Sequence, residues 1–321
     1  MEKFEIKGSY GPYSLKNPIL IAPGQLTRNF NQVLKIKKAG YAGCVLKSVV
    51  GEDKDGNCSM VRMRKPPTYI KTVYDEDDKE RKFPIIHWNG RADTRTLSEY
   101  LDFAKETIKL MDESFLIVAS ILCHLPAPDE DFKKKEWIFT TGRLFEIGYR
   151  IFEIDFCPYL KIEDELVEKN NILRWYRQVP SFLKSVSEKI IVYPKILNLD
   201  YGMDFQIKMV ESSLEGKADG VVIANRIFKK EFGTAHGGRE LRERNLKMIK
   251  EIKKRFPEIK ISATGGIYSG KHIIEYMEAG AENVQLLSFL MGRVKVDSEG
   301  ENKFEKVFNK LISEVIELKS F

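Results

Sequence analysis

Short β-branched runs alternate with amphipathic stretches along the whole chain, and this alternation restricts the fold more than any other feature. The stretches between the runs place apolar residues at i, i+3 and i+4, with charges on the opposite face. Such alternation is typical of βα units repeated around a parallel sheet. Nine runs share this character: NPILIAP (17–23), GCVLKSV (43–49), FPIIHWN (83–89), FLIVASIL (115–122), RIFEIDF (150–156), KIIVYPKI (189–196), DGVVIAN (219–225), EIKISATG (258–265) and ENVQLLSF (282–289).

The run FPIIHWN differs from the others because no helical pattern precedes it. The segment in front of it is rich in Gly, Pro and charge, so we expect residues 51–92 to form a long insertion after strand 2 that contains its own hairpin. Eight βα units then remain, which predicts one (β/α)8 TIM barrel spanning residues 1–321. An open doubly wound sheet is the alternative, but the first run is not followed by the G-x-G-x-x-G of its dinucleotide-binding version.

Composition excludes several classes of protein. Hydrophobic residues make up 43% of the chain and charged residues 31%, and the net charge of +6 is spread along the sequence, which argues against a nucleic-acid groove. We find no apolar run of membrane-spanning length and no signal peptide, so we expect a cytoplasmic protein without a membrane partner. The four cysteines and four histidines lack metal-ligand spacing, so we expect reduced thiols and no metal site.

The carboxyl ends of the strands should carry the active site of a barrel. Two lysines, Lys47 and Lys195, lie there inside otherwise apolar runs, where an ammonium group is costly unless it faces an anion. Each lysine alone could instead bury only its apolar stem and place its ammonium group in water at the rim of the barrel. The two together favour an anionic or electron-rich ligand.

A paired glycine turn, Gly265-Gly266, follows the eighth run and precedes a helix that we expect to begin at Gly270. Free backbone N–H groups and a helix N-terminus together suit a phosphate. An ordinary βα turn would have the same glycines.

Cys157 follows the strand RIFEIDF and is a candidate proton acceptor in the loop layer. A cysteine near a strand is more often a small core residue. Cys123 and His124 form a competing pair, which we favour less because adjacent residues on an extended chain point to opposite sides.

The segment ISATGGIYSGKHIIEYMEAGAENVQLLSF, with VLKSV, YPKI and EIDFCP, resembles the dihydroorotate dehydrogenase family, the FMN-dependent barrels of pyrimidine synthesis. The similarity extends from residue 17 to residue 292. It implies that Lys47 lies near the flavin ring and the reacting carbons, that Lys195 contacts the pyrimidine edge of the flavin, and that Cys157 is the catalytic base of the cysteine-using class. It assigns the following residues to FMN binding: Ala22, Gly24, Lys47, Ser48, Asp155, Lys195, Asn225, Gly237, Gly238, Gly265, Gly266 and Ser288.

The chain departs from the family where the substrate ring is recognised. The family motif E-L-N-x-S-C-P-N is replaced by a shorter one in which Asp155, Phe156 and Tyr159 stand for its asparagine, serine and second asparagine. A change from Asn to Asp removes a hydrogen-bond donor, and sites built from such groups discriminate strongly. The resemblance implies substrate contacts for these residues: Asn89, Tyr159, Asn225 and Arg226.

The sequence therefore predicts an FMN-dependent oxidoreductase acting on a C–C bond of dihydroorotate or a related cyclic amide. A barrel that binds FMN or another phosphorylated ligand without redox chemistry, as a regulatory or binding subunit, is one alternative. A phosphate-binding barrel enzyme without flavin is another. A homodimer is implied by the resemblance alone.

Overall fold

A computed structural model describes residues 7–66, 70–89, 92–123, 130–156, 168–291, 293 and 303–319. The strands in these ranges are β1 (Gly8–Tyr10), β2 (Tyr13–Leu15), β3 (Ile19–Ile21), β4 (Gly43–Val45), β5 (Val49–Val50), β6 (Ile70–Val73), β7 (Ile85–Trp88), β8 (Leu116–Leu122), β9 (Ile151–Ile154), β10 (Ile191–Pro194), β11 (Gly220–Ile223), β12 (Ile227–Lys229), β13 (Thr234–Gly237), β14 (Lys260–Thr264) and β15 (Asn283–Leu286). The helices are α1 (Phe30–Lys38), α2 (Leu97–Ile108), α3 (Glu130–Ile147), α4 (Lys169–Val186), α5 (Met203–Glu215), α6 (Glu240–Arg255), α7 (Gly270–Glu278), α8 (Ser288–Met291) and α9 (Lys303–Lys319).

Eight parallel strands form the barrel in the order β10, β9, β8, β4, β3, β15, β14, β11. The two ends of this order meet, because Ile196 N–H donates to Val222 O (2.9 Å) and Asn225 N–H donates to Ile196 O (2.8 Å). This closure confirms the (β/α)8 barrel and excludes the open sheet. All eight predicted βα runs supply its strands.

Strand alternation divides the apolar residues into two layers. Ile19 and Ile21 face the surrounding helices, whereas Leu20 between them faces the barrel interior together with Val118 and Val222. The last helix, α9, buries one apolar face against α1 and α7, as its pattern predicts. No helix in the described ranges combines the length and apolarity needed to cross a membrane.

A second, antiparallel sheet of four strands lies over the carboxyl ends of the barrel strands, in the order β12, β13, β7, β6. β6 and β7 pair as the hairpin expected within 51–92. Its other half, β12 and β13, comes from the segment between β11 and α6, where the sequence predicts no strands. We call these four strands the cover sheet.

An N-terminal hairpin of β1 and β2 closes the opposite end of the barrel, and the sequence does not predict it either. Ser9 N–H donates to Glu282 O just before β15 (3.1 Å). The ring of Tyr10 enters the barrel interior and packs 4.6 Å from that of Tyr193. The polar interior described below depends on this hairpin.

Candidate active site

A cavity lies between the barrel and the cover sheet, at the carboxyl ends of seven of the eight barrel strands. Successive residues of a strand face opposite sides, so Ile86 and Trp88 of β7 line this cavity while His87 faces away from it. Ten of the predicted site residues line it together: Ala22, Lys47, Asp155, Lys195, Asn225, Arg226, Gly237, Gly265, Gly266 and Ser288.

Asp155 joins three strand ends through its carboxylate. Ser48 Oγ donates to Oδ2 (3.0 Å) and Asn225 Nδ2 donates to Oδ1 (3.1 Å). Ser48 Oγ also lies 2.9 Å from Ser120 Oγ on β8. Ser48 therefore supports the floor of the cavity, and Asp155 uses both oxygens to hold neighbouring side chains in place.

Three basic side chains and one acidic side chain are among the described residues that line the cavity, namely Lys47, Lys195, Arg226 and Asp155. Lys47 Nζ lies 4.5 Å, and the Arg226 guanidinium 4.1 Å, from the centre of the Trp88 ring. Cations at this distance are attracted to the indole face. The excess of positive charge favours a ligand that carries negative charge.

The Gly265-Gly266 turn presents backbone amides at the cavity. Both glycines have positive φ, 97° and 65°. The carbonyl of Thr264 accepts from Asn245 Nδ2 (2.7 Å), and the carbonyl of Gly265 accepts from Tyr276 Oη (2.7 Å). Because N–H and C=O of a trans peptide point in opposite directions, the amides of Gly265 and Gly266 point away from these two side chains.

Neither of these two amides has an acceptor among the described residues. Buried or half-buried N–H groups of a rigid turn are normally satisfied by protein, water or ligand. An anion with several oxygens would satisfy both of them.

Gly237 leaves space that a side chain would fill. A Cβ at this position would lie 3.2 Å from Ser288 Oγ and 3.4 Å from Arg226 Cγ, in the cavity wall. The neighbouring Gly238 packs against Ile85, where a Cβ would approach to 3.0 Å. Gly24 similarly allows close packing against Leu287, which lines the cavity.

Other predicted residues lie apart from the cavity or outside the described residues. Asn89 follows β7 and is half-buried, but it is not among the lining residues. The N–H of Gly270 donates to Glu314 Oε2 of α9 (2.6 Å), so the start of α7 faces that helix instead of a phosphate.

Cys123 is buried, and burial raises the pKa of its thiol well above the usual value. Cys157, Tyr159 and His124 lie outside the described residues.

Phe156 does not take the position of a substrate-recognising side chain. Its ring is buried among Trp137, Trp175 and Tyr176, with the Tyr176 ring 4.6 Å away. The expectation that Phe156 distinguishes substrates is therefore wrong. The large ring fills the layer between the barrel and the helices.

Sequence reasoning missed two residues of this region, Trp88 and Glu153. Trp88 is buried, lines the cavity between two cations, and has an indole N–H without an acceptor among the described residues. Glu153 is fully buried inside the barrel. A charged residue between apolar neighbours, as in the strand sequence IFEI, is the same signal that identifies Lys47 and Lys195, and it could have identified Glu153.

Comparisons with known proteins agree with this architecture. A family model described as dihydroorotate dehydrogenase matches residues 185–313. The catalytic subunit of dihydroorotate dehydrogenase B (NAD(+)) from Methanocaldococcus jannaschii is 25% identical over 312 residues, covering 93% of this chain and 89% of the relative. The corresponding subunit from Thermotoga maritima is 26% identical over 295 residues, covering 86% of this chain and 92% of the relative.

A crystal structure of DHODH from Eimeria tenella in complex with ferulenol has the same fold, with a TM-score of 0.74 at 14% identity over 99% of this chain and 85% of that one. The sequence matches extend over nearly the whole barrel and include the turn at Gly265-Gly266. Residues 185–313 thus match the dihydroorotate dehydrogenase family, and over most of its length the chain is similar to catalytic subunits of oxidoreductases of that type.

Proposed function

We propose that the chain is an FMN-dependent oxidoreductase that moves a hydride between a C–C bond of its substrate and flavin N5. The observation that carries this proposal is the cavity itself. It combines two lysines at strand ends, a glycine turn with two amides that lack acceptors, and a glycine whose Cβ would fill the space beside Ser288.

The residues present fit an FMN molecule at both of its ends. The amides of Gly265 and Gly266, with Ser288 and Gly237, would hold the phosphate, since oriented backbone N–H groups bind such oxygens well. Lys47 and Lys195 would lie along the ring system, where positive charge favours the reduced form. When bound, FMN supplies the hydride acceptor.

The chain's own contribution would be orientation and proton transfer. Asp155, fixed by Ser48 and Asn225, and Arg226, placed over Trp88, would orient the substrate. Cys157, which follows β9 in the sequence, would take the proton from the carbon next to the one that loses hydride. The substrate would lose one hydride to FMN and one proton to Cys157, and would gain a C=C bond.

The substrate would be dihydroorotate or a related cyclic amide. Asp155 offers only acceptors when ionised, whereas the asparagine of the family offers a donor as well. Both carboxylate oxygens accept bonds from Ser48 and Asn225, and neither can supply the donor that the family's asparagine gives. Within this class, the difference favours a related cyclic amide over dihydroorotate itself.

Anaerobic bleaching of the protein-bound flavin would test the proposal. Stopped-flow mixing with dihydroorotate and a panel of saturated cyclic amides should reveal at least one compound that reduces the flavin within seconds. Cys157→Ser should slow this half-reaction by about 100-fold or more, which is the usual contribution of a positioned base. Binding of FMN with no reduction by any member of the panel would instead support a barrel that binds FMN without this chemistry.

A further inference from the structure

A fully buried carboxyl group, that of Glu153, lies inside the barrel below the cavity floor. Its Oε1 accepts a hydrogen bond from Tyr10 Oη (2.7 Å) and another from Gln285 Nε2. Its Oε2 is buried and has no hydrogen-bond partner among the described residues. A carboxyl group in such a place is costly unless it is protonated or has a compensating charge.

Strand register places Lys195 as the neighbouring charge. Glu153 of β9 lies beside Tyr193 of β10, and Lys195 is two residues further along, so both Tyr193 and Lys195 face the same side as Glu153. Lys195 thus lies one layer above Glu153, at the level of Asp155. Across this spacing the two groups interact through charge without a direct hydrogen bond.

The ammonium group of Lys195 has no hydrogen-bond acceptor among the described residues, although the residue is almost fully buried. Burial raises the pKa of Glu153, and Lys195 has the largest of the opposing effects, ahead of the hydrogen bonds from Tyr10 and Gln285. Asp155 acts in the same direction as burial. Lys195 is therefore the main charge that compensates Glu153, and Glu153 and Asp155 are the two carboxyl groups near the ammonium group of Lys195.

We propose that Glu153 is the buried counter-ion of Lys195, a positioning residue that sets how much positive charge Lys195 presents to a ligand in the cavity. Two donors on Oε1 suit a carboxylate, and the ammonium group of Lys195, one layer above, compensates its charge. The flavin readout below rests on the proposed function, and the first test does not.

Infrared spectroscopy of the protein without FMN tests the charge pair directly. At pH 7, the band of a buried protonated carboxyl group should be absent for Glu153, with Glu153→Gln used for assignment. In Lys195→Met the Glu153 band should appear, because the protonated fraction of Glu153 should be at least about tenfold higher than in the wild type, the equivalent of one pKa unit. A Glu153 band already present in the wild type, or absent from Lys195→Met, would overturn the proposal.

Glu136 provides the reference in the same spectra. It is a buried carboxyl group on α3, outside the barrel, bonded to Ser59 Oγ (2.6 Å), and burial raises its pKa to about 7. Its band should therefore be visible in the wild type and missing from Glu136→Gln. Lys195→Met should leave that band unchanged, which also shows that the variant is folded.

The flavin-bound protein gives the second readout. Glu153→Gln keeps the acceptor for Tyr10 and Gln285 and removes the charge, so the reduced flavin should become favoured by at least tenfold, a rise of about 30 mV in the two-electron potential. Glu136→Gln should leave the potential unchanged. A merely structural role for Glu153 would give no rise, and an unchanged or lower potential contradicts the proposal. If FMN does not bind at all, the proposed function fails while the infrared test still decides the charge pair.

Discussion

Gly237→Ala would add a single methyl group to the wall of the cavity. Gly237 lies on β13 with ordinary extended backbone, so alanine can adopt its conformation. The new Cβ would lie 3.2 Å from Ser288 Oγ and 3.4 Å from Arg226 Cγ, which already is close packing before any ligand enters. A ligand that occupies this space would have to shift its position, or the cavity wall would have to move away from it.

The size of the effect follows from the cost of overpacking. Forcing an extra methyl into a well-packed site costs about 1–3 kcal/mol, which corresponds to a loss of roughly 5- to 150-fold in affinity for FMN. The free energy of unfolding without FMN should change by less than about 1 kcal/mol, because alanine also lowers the entropy of the unfolded chain.

Fluorescence titration of the protein with FMN would measure this loss, and urea unfolding would measure stability. Gly142→Ala is the matched control, because a Cβ there would lie 3.9 Å from Val186 on α4, in ordinary contact and away from the cavity. The reasoning would be refuted by a folded Gly237→Ala protein that binds FMN as tightly as Gly142→Ala does.

Three further variants test the bonds of Asp155, the buried carboxyl group of Glu136 and the packing of α9. Asp155→Asn replaces one of two acceptors by a donor that faces Ser48 or Asn225. Urea unfolding without FMN should therefore show a free energy of unfolding that is lower by about 1 kcal/mol. An unchanged or higher stability would contradict the assigned bonds. Burial raises the pKa of Glu136 from 4.5 to about 7, so the folded protein holds a proton that the unfolded chain releases. The resulting stability is present below about pH 4.5 and is lost as the pH rises through 7, by up to about 3 kcal/mol, and Glu136→Gln should lack this part of the pH dependence in denaturant titrations. Leu311→Ala, in the buried face of α9, should lower the free energy of unfolding by about 2–5 kcal/mol. A loss below about 1 kcal/mol would show that α9 does not pack closely against α1 and α7.

The barrel could be predicted because each of its strands is an apolar, β-branched run flanked by breakers, and because consecutive βα units repeat the same local pattern. The cover sheet was only half predictable. Its strands β12 and β13 are short segments, IFK and TAHG, with mixed polarity. β13 pairs with β7 across about 150 residues of sequence, and β12 pairs with β13. Nothing local in such segments distinguishes a strand from a loop.

The candidate active site also has one part that the sequence predicts and one part that it does not. Residues at the ends of barrel strands, such as Lys47, Lys195 and Asn225, come together because the topology places all carboxyl ends at one side. Trp88 lines the cavity only through the cover sheet, so its role depends on long-range pairing. Phe156 shows the opposite error, since its position in a family motif indicated the substrate while its size directs it into the apolar layer.

The central claim is that this cavity binds FMN, and equilibrium titration of the wild-type protein with FMN tests it most directly. We predict one FMN per chain, a flavin spectrum that persists through gel filtration, and weaker binding in both Gly237→Ala and Lys195→Met. A folded wild-type protein that binds no FMN, or variants that bind FMN as tightly as the wild type, would contradict this assignment.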